Sequence, residues 1–120
     1  MIQVAKDDVL KGLRKCKRLA KQALLASNLT DNPAYWNDQA VSRRETYDFL
    51  MKSIEEAGLE DTFQIASAEY IKLKKSDISN DPITAGRKQA LEMFFTIIGK
   101  NSSSLVVTEQ VENSPSAVVS

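Results

Sequence analysis

Two stretches of this 120-residue chain begin with a capping residue followed by proline and end at a glycine. Asn32-Pro33 opens the first stretch and Asp81-Pro82 the second, and Gly58 and Gly99 close them. Asparagine and aspartate cap the free N–H groups of a first helical turn, proline favours the first helical position, and glycine commonly follows the last. The pattern therefore predicts two helices with defined ends and makes a helical fold the strongest expectation.

Apolar residues keep a helical period in these stretches and in an earlier one, residues 4–27. The apolar seam of this first helix consists of Val9, Leu13, Cys16, Ala20 and Ala23. The periodic positions of the two later helices are Trp36, Ala40, Tyr47, Leu50, Ile54 and Ala57, then Ile83, Ala90, Phe94, Ile97 and Ile98. We expect these side chains, including that of Trp36, to form the core.

Two places in the pattern leave alternatives open. In residues 62–75 a helix would align Phe63, Ala66, Tyr70 and Leu73, whereas a strand would align Phe63, Ile65, Ile71 and Leu73. The helical neighbours favour the helix. Ser42 has the sequence pattern that begins a capping box. Arg43 falls among the periodic apolar positions of the second helix, where an unpaired buried charge is costly. We expect the helix to break at Ser42, the alternative being that Arg43 reaches a carboxylate or a bound anion.

The expected fold class is all-α, with a compact antiparallel bundle of four or five helices in one domain over residues 1–99. A chain of this length buries enough surface for a core without disulfides or metal. Residues 100–120 are rich in serine and carry the isolated Leu105-Val106-Val107. We predict that they form a flexible tail.

One cysteine and no histidine restrict the chemistry of the chain. They exclude an internal disulfide, Ser-His-Asp and Cys-His nucleophile systems, and Cys/His zinc sites. Asp77, Ser79 and Asp81 have the spacing that opens a calcium loop, but Pro82 and Lys88 stand where glycine and glutamate are required. We expect no metal, no cofactor and no enzyme activity. Catalysis by carboxylates alone is the enzymatic alternative.

Cys16 and the hydropathy of the chain bear on reactivity and location. An exposed thiol between Lys15 and Lys17 would have a lowered pKa and act as a nucleophile, but the seam position favours a small buried side chain. No apolar run reaches the roughly 18–20 residues of a membrane span, and Met1 is not followed by a signal-peptide pattern. A cytoplasmic location without membrane contact is the expectation.

The 16 basic and 16 acidic residues give a formal net charge of zero, but they are sorted along the chain. Residues 1–26 contain seven Lys/Arg and two acids, whereas residues 31–61 contain three Lys/Arg and eight acids. The acids on the outer face of the second helix are Asp38, Glu45, Asp48, Glu55 and Glu56. Such a face is able to bind a basic surface, including that of a second copy of the chain.

Opposite the apolar seam of the first helix lies a basic stripe. This basic face consists of Lys11, Arg14, Lys15, Arg18 and Lys21. It extends roughly 15 Å, which matches a few successive phosphates of a nucleic acid. No acid between Lys11 and Lys21 neutralises it at i+3 or i+4. The pattern indicates contact with a nucleic-acid backbone, and a merely solvated face is the alternative.

Other residues are candidates to extend this surface. The basic ones are Lys72, Lys74 and Lys75 in one cluster and Arg87 and Lys88 in another. Tyr35, Trp36 and Tyr70 are candidates for stacking on bases, although aromatic residues at helical spacing are more often core.

In size, helical character and the basic face, the chain resembles the small helical subunits of multisubunit (class 1) CRISPR effector complexes. The resemblance is one of overall features across residues 1–99. It implies an accessory subunit that stacks along a ribonucleoprotein assembly, contacts guide or displaced target strand through the basic residues, and leaves catalysis to other subunits. The alternative is a helical adaptor or regulator that binds an acidic protein partner or self-associates through its charged faces.

Overall fold

The structure is a computed structural model that describes residues 4–76 and 81–99. Its helices are α1 at Lys6–Ala26, α2 at Pro33–Ala57, α3 at Leu59–Ser76 and α4 at Pro82–Ile97, and a 3₁₀ turn at Ser27–Leu29 links α1 to α2. The prediction of an all-α bundle is confirmed, and the ambiguous residues 62–75 lie within α3. The tail predicted at 100–120 lies outside the described residues.

Both predicted helix starts are capped by the residue before the proline. The side chain of Asn32 accepts a hydrogen bond from the backbone N–H of Tyr35 at 3.3 Å. The carboxylate of Asp81 accepts from the backbone N–H groups of Ile83 and Thr84 and from the Thr84 hydroxyl, the last at 2.6 Å. These bonds, that from the Thr84 hydroxyl above all, hold the pKa of Asp81 below its usual range.

Both predicted helix ends are also present. Gly58 is the single residue between α2 and α3, with a φ of 92°, and Gly99 follows α4 with a φ of 79°. These backbone angles lie in the left-handed region that glycine adopts without strain. Gly58 therefore allows α3 to fold back along α2, where the Ser53 and Thr62 hydroxyls lie 2.7 Å apart.

The core lies around α2, because α1, α3 and α4 all pack against this helix. Within the core, Phe95 packs edge-on against Phe63 and Tyr70 of α3. Burying each such large apolar side chain contributes about 1.5–3 kcal/mol. The predicted core positions that are buried are Val9, Leu13, Ala20, Ala40, Tyr47, Leu50, Ile54, Ala66, Tyr70, Leu73, Ala90, Phe94 and Ile98.

The helices α4 and α2 approach closely at Gly86. A Cβ atom at Gly86 would collide with the backbone carbonyl oxygen of Gln39 and lie 2.9 Å from the Cβ of Ser42. At this crossing the Ser42 hydroxyl donates to the carbonyl oxygen of Ile83 at 2.6 Å. Gly86 is therefore required by the short distance between the two backbones.

The structure corrects the prediction that a helix breaks at Ser42, because α2 is continuous from Pro33 to Ala57. The Ser42 hydroxyl donates to α4 instead of capping a new helix, and its backbone carbonyl accepts from the Thr46 hydroxyl at 2.8 Å. A tertiary contact has thus replaced the local cap that the sequence offered.

Three predicted core positions are exposed. Trp36 retains 43% of its accessible surface and Ile83 retains 48%, and Ala57 is exposed as well. All three lie in the first or last turn of a helix. The ring of Trp36 packs edge-on against that of Tyr35, with centroids 5.0 Å apart.

Candidate nucleic-acid interface

The basic face lies on the solvent side of α1, as predicted. Val9, Leu13 and Ala20 turn inward and are fully buried. The opposite side of the helix is therefore left outward, and its five exposed cations are Lys11, Arg14, Lys15, Arg18 and Lys21. Within the part of the chain that the structure describes, none of the five forms an ion pair.

Lys17 behaves differently from the basic face. Its ammonium lies 2.6 Å from the carboxylate of Asp48 on α2. One acid of the predicted acidic face therefore pairs within the molecule. Asp38, Glu45, Glu55 and Glu56 are exposed and form no ion pair among residues 4–76 and 81–99.

A groove of about 460 Å³ runs between α1 and α2 beside the basic face. Arg14 and Arg18 line it from α1, together with Lys52 and Glu55 from α2. The i+3 and i+4 neighbours within α1 do not reveal Glu55, because it comes from a different helix. The half of the basic face nearest α2 is thus partly compensated, and Lys11, Lys15 and Lys21 do not line this groove.

Cys16 lies near two cations, Lys15 on α1 and Arg43 on α2. Burial raises the pKa of the Cys16 thiol, and the Tyr47 hydrogen bond, Lys15 and Arg43 oppose that rise to a smaller extent. The same burial raises the pKa of Tyr47 to about 12. A thiol with a raised pKa is a poor nucleophile at neutral pH, so Cys16 fits the role of a partly buried packing residue.

Arg43 and Arg44 carry buried donors with no acceptor. Their Nε atoms are inaccessible to solvent and form no hydrogen bond in the described structure. An unsatisfied buried donor costs about 1–3 kcal/mol. The helix α2 is continuous through Arg43, and no carboxylate among the described residues forms an ion pair with Arg43. Arg43 is a cation near Cys16 that the predicted set of site residues did not include.

The other predicted basic residues are separate from the basic face. Lys72, Lys74 and Lys75 lie near the end of α3, which packs on α2 and α4 and not substantially on α1. On α4, Arg87 lies 3.8 Å from the carboxylate of Glu69, and Lys88 is half-buried. The structure therefore does not bring these clusters together with the cations of α1.

The aromatic candidates divide into buried and accessible residues. Tyr70 is 3% exposed and its hydroxyl donates to the Glu92 carboxylate at 2.7 Å, so its ring has no free face for a base. Tyr35 and Trp36 lie together in the first turn of α2, where the Trp36 ring is accessible. Only this pair among the three candidates keeps the exposure that stacking requires.

The described residues contain neither a metal-binding cluster nor a membrane-spanning helix. Among residues 4–76 and 81–99, no three or more Cys, Asp or Glu side chains cluster closely enough to hold a metal ion. No helix in the same residues has the length and apolar character needed to cross a bilayer.

Comparison with known proteins identifies no relatives for this chain: no family model, no curated protein and no solved structure matches it.

Proposed function

We propose that this protein is a non-catalytic accessory subunit that contacts a nucleic-acid backbone through the basic face of α1. The observation that supports this is the exposure of Lys11, Arg14, Lys15, Arg18 and Lys21 without ion-pair partners in the described structure. Their spacing along one helix suits successive phosphates, which are recognised by charge without regard to sequence.

The contrast with Lys17 supports the proposal. Lys17 of α1 pairs with the carboxylate of Asp48 on α2 at 2.6 Å. None of the five cations of the basic face has such an ion pair in the described structure, and Arg43 of α2 adds another positive charge near Cys16. A phosphate bound near Cys16 would lie close to the positive charges of both Lys15 and Arg43.

The resemblance to small subunits of CRISPR effectors provides a setting for this activity. In a ribonucleoprotein assembly of that kind, the subunit would grip guide or displaced strand while other subunits perform catalysis. The resemblance consists of size, helical character and the basic face, so the nucleic-acid contact stands on the α1 residues themselves.

The decisive experiment removes the basic face and measures affinity against salt. We expect the variant Lys11→Ala/Arg14→Ala/Lys15→Ala/Arg18→Ala to lose most nucleic-acid binding while it keeps its melting temperature. For about four neutralised phosphates, the logarithm of affinity should fall against the logarithm of salt with a slope of roughly −3.6 for duplex and −2.8 for single strands. Electrophoretic-shift titrations with DNA and RNA at several salt concentrations measure both quantities.

A matched control removes the same charge from other helices. The variant Lys72→Ala/Lys74→Ala/Lys75→Ala/Lys88→Ala has the same net charge as the basic-face variant. We expect it to keep the wild-type slope, because these residues lie away from α1. Equal losses in the two variants would mean that overall charge, and not the basic face, governs binding. If neither variant loses nucleic acid and the α1 variant loses a protein partner, the adaptor function replaces the proposed one.

Cys16 offers a local readout, because it is the only cysteine of the chain. A phosphate held by Lys15 and Arg43 would weaken the two charges that lower the pKa of the Cys16 thiol. We expect oligonucleotide to slow alkylation of Cys16 by iodoacetamide in the wild type and not in Arg43→Ala. An unchanged alkylation rate at saturating oligonucleotide would mean that the bound strand lies away from Cys16.

A further inference from the structure

A second surface lies on the helices that do not carry the basic face. It is a groove of about 310 Å³ formed by α2, α3 and α4. The residues that line it are Ser42, Glu45, Thr46, Phe49, Ile65, Ala66, Glu69, Arg87 and Leu91. Because no residue of α1 contributes to it, its occupant is distinct from a strand bound along α1.

The rim of the groove is apolar and accessible. Phe49 lines it from α2 and Ile65 from α3, and they retain 51% and 45% of their accessible surface. Ala66 and Leu91 form a buried apolar floor between them. Exposed apolar side chains that share one concave surface are typical of an interaction site, whereas single scattered ones are ordinary.

The buried hydroxyl groups that line the groove already have hydrogen-bond partners. The Ser42 hydroxyl donates to the Ile83 carbonyl and the Thr46 hydroxyl donates to the Ser42 carbonyl. A small ligand is usually oriented by a few unsatisfied polar groups inside its pocket, and this floor offers none. The groove is suited to an apolar surface that needs no hydrogen bond from the floor.

The charged groups at the edge indicate the sign of the occupant. Glu45 is exposed and forms no ion pair within the described residues. Glu69 and Arg87 are 3.8 Å apart and largely offset each other. The groove therefore carries an excess negative charge at Glu45, which favours an occupant with a basic side chain next to its apolar residues.

We propose that this groove binds an amphipathic helix of a partner protein that carries leucine-like anchors and a lysine or arginine on one face. The flanking walls are helices, and the described residues contain no strand whose edge an extended peptide could join. A helix laid in a groove presents apolar anchors at i, i+3 or i+4, and i+7, and Phe49 and Ile65 are the exposed apolar side chains of this groove that such anchors would contact. The proposal is independent of nucleic-acid binding by α1.

Two synthetic helical peptides test the proposal on the full-length protein. One peptide carries leucines at the anchor positions and a lysine on the same face, and the other has glutamate in place of that lysine. We expect the lysine peptide to bind more tightly in a fluorescence-anisotropy titration. Phe49→Ala and Ile65→Ala should each weaken it about tenfold or more, as apolar anchors do at the centre of an interface. Glu45→Gln should abolish the preference for lysine over glutamate.

The control variant is Leu25→Ala, because Leu25 is 71% exposed and lies on α1, away from the groove. It should leave peptide affinity unchanged. Because Phe49 and Ile65 are half-exposed, their alanine variants should lose only a little melting temperature, remain folded and still bind nucleic acid. Peptide affinity that is equal in the wild type, Phe49→Ala and Ile65→Ala would overturn the proposal.

Two other occupants have distinct outcomes. If Leu105→Ser/Val107→Ser in the full chain raises the affinity for the lysine peptide, the C-terminal segment of the protein itself fills the groove. If sedimentation finds that the wild type is a dimer and Phe49→Ala a monomer, a second copy fills it. Either result would replace the partner helix proposed here.

Discussion

Gly86 shows how one residue determines the contact between two helices. The Cβ of an alanine would meet the backbone carbonyl of Gln39, which has no rotamer to move away. We predict that Gly86→Ala lowers the free energy of unfolding by about 1–3 kcal/mol or more, because α4 must move away from α2. Chemical denaturation followed by circular dichroism measures the loss.

Gly12 provides the matched substitution. A Cβ there would lie 3.3 Å from the end of the Ile97 side chain, a flexible neighbour that is only half-buried. Alanine also favours a helix over glycine by about 1 kcal/mol, so Gly12→Ala should change stability by less than that amount. A loss for Gly12→Ala as large as that for Gly86→Ala would contradict the role given to the α2–α4 crossing.

Tyr47 predicts a dependence of stability on alkaline pH. Burial raises its pKa from 10.0 in the unfolded chain to about 12 in the fold. Its contribution is therefore complete below pH 10 and is lost as the pH rises from 10 to about 12. The contribution is on the order of 2 kcal/mol.

The comparison variant for this prediction is Tyr47→Phe, which lacks the titrating hydroxyl. The stability difference between wild type and Tyr47→Phe should change across this pH range and stay constant below it. Denaturation series at increasing pH would detect the change. A constant difference at all pH values would mean that Tyr47 ionises as easily in the fold as in the unfolded chain.

At the scale of the helices, local sequence signals located the ends of α2 and α4 correctly but wrongly predicted a break within α2. The caps at Asn32 and Asp81 and the glycines at 58 and 99 act within one turn, so the sequence pattern located them correctly. Ser42 also had a local capping signal, but its hydroxyl donates to Ile83 across the α2–α4 crossing. A bond between residues so distant in the chain leaves no local pattern.

The candidate site divides in the same way. The exposure of the basic face follows from the period of α1 alone and was predictable. The pairing of Lys17 with Asp48 and the position of Arg43 beside Cys16 depend on how α1 lies against α2. Trp36 was misassigned because periodicity gives the direction of a side chain and does not reveal where the covering helix ends.

The central position of α2 predicts the order in which the helices open. Since α1, α3 and α4 each pack on α2, exposing its middle requires the loss of several contacts at once. We predict that the backbone amides around Leu50 exchange with solvent more slowly than any in α1. Hydrogen exchange followed by mass spectrometry compares the peptides, and slower exchange in α1 would contradict this order.

Across the whole molecule, opposite charges cancel in number and not in position. The exposed outer side of α1 carries five cations, whereas the acids of α2 lie on another helix. We predict that the protein, although formally neutral, binds a cation exchanger at low salt. The resin contacts one charged face of the protein, so that face and not the net charge determines retention. The basic-face variant should pass through the same column at the same pH. Retention of both would point to a different cationic surface.

Trp36 is the only tryptophan of the chain, and it lies at the surface near the start of α2 instead of in the core. Its indole is already partly hydrated in the native state, so its emission should shift less on unfolding than that of a fully buried tryptophan. The same exposure makes the emission sensitive to a quencher or a base that approaches from outside. The emission of Trp36 therefore reports on contacts at the protein surface better than it reports on unfolding of the bundle.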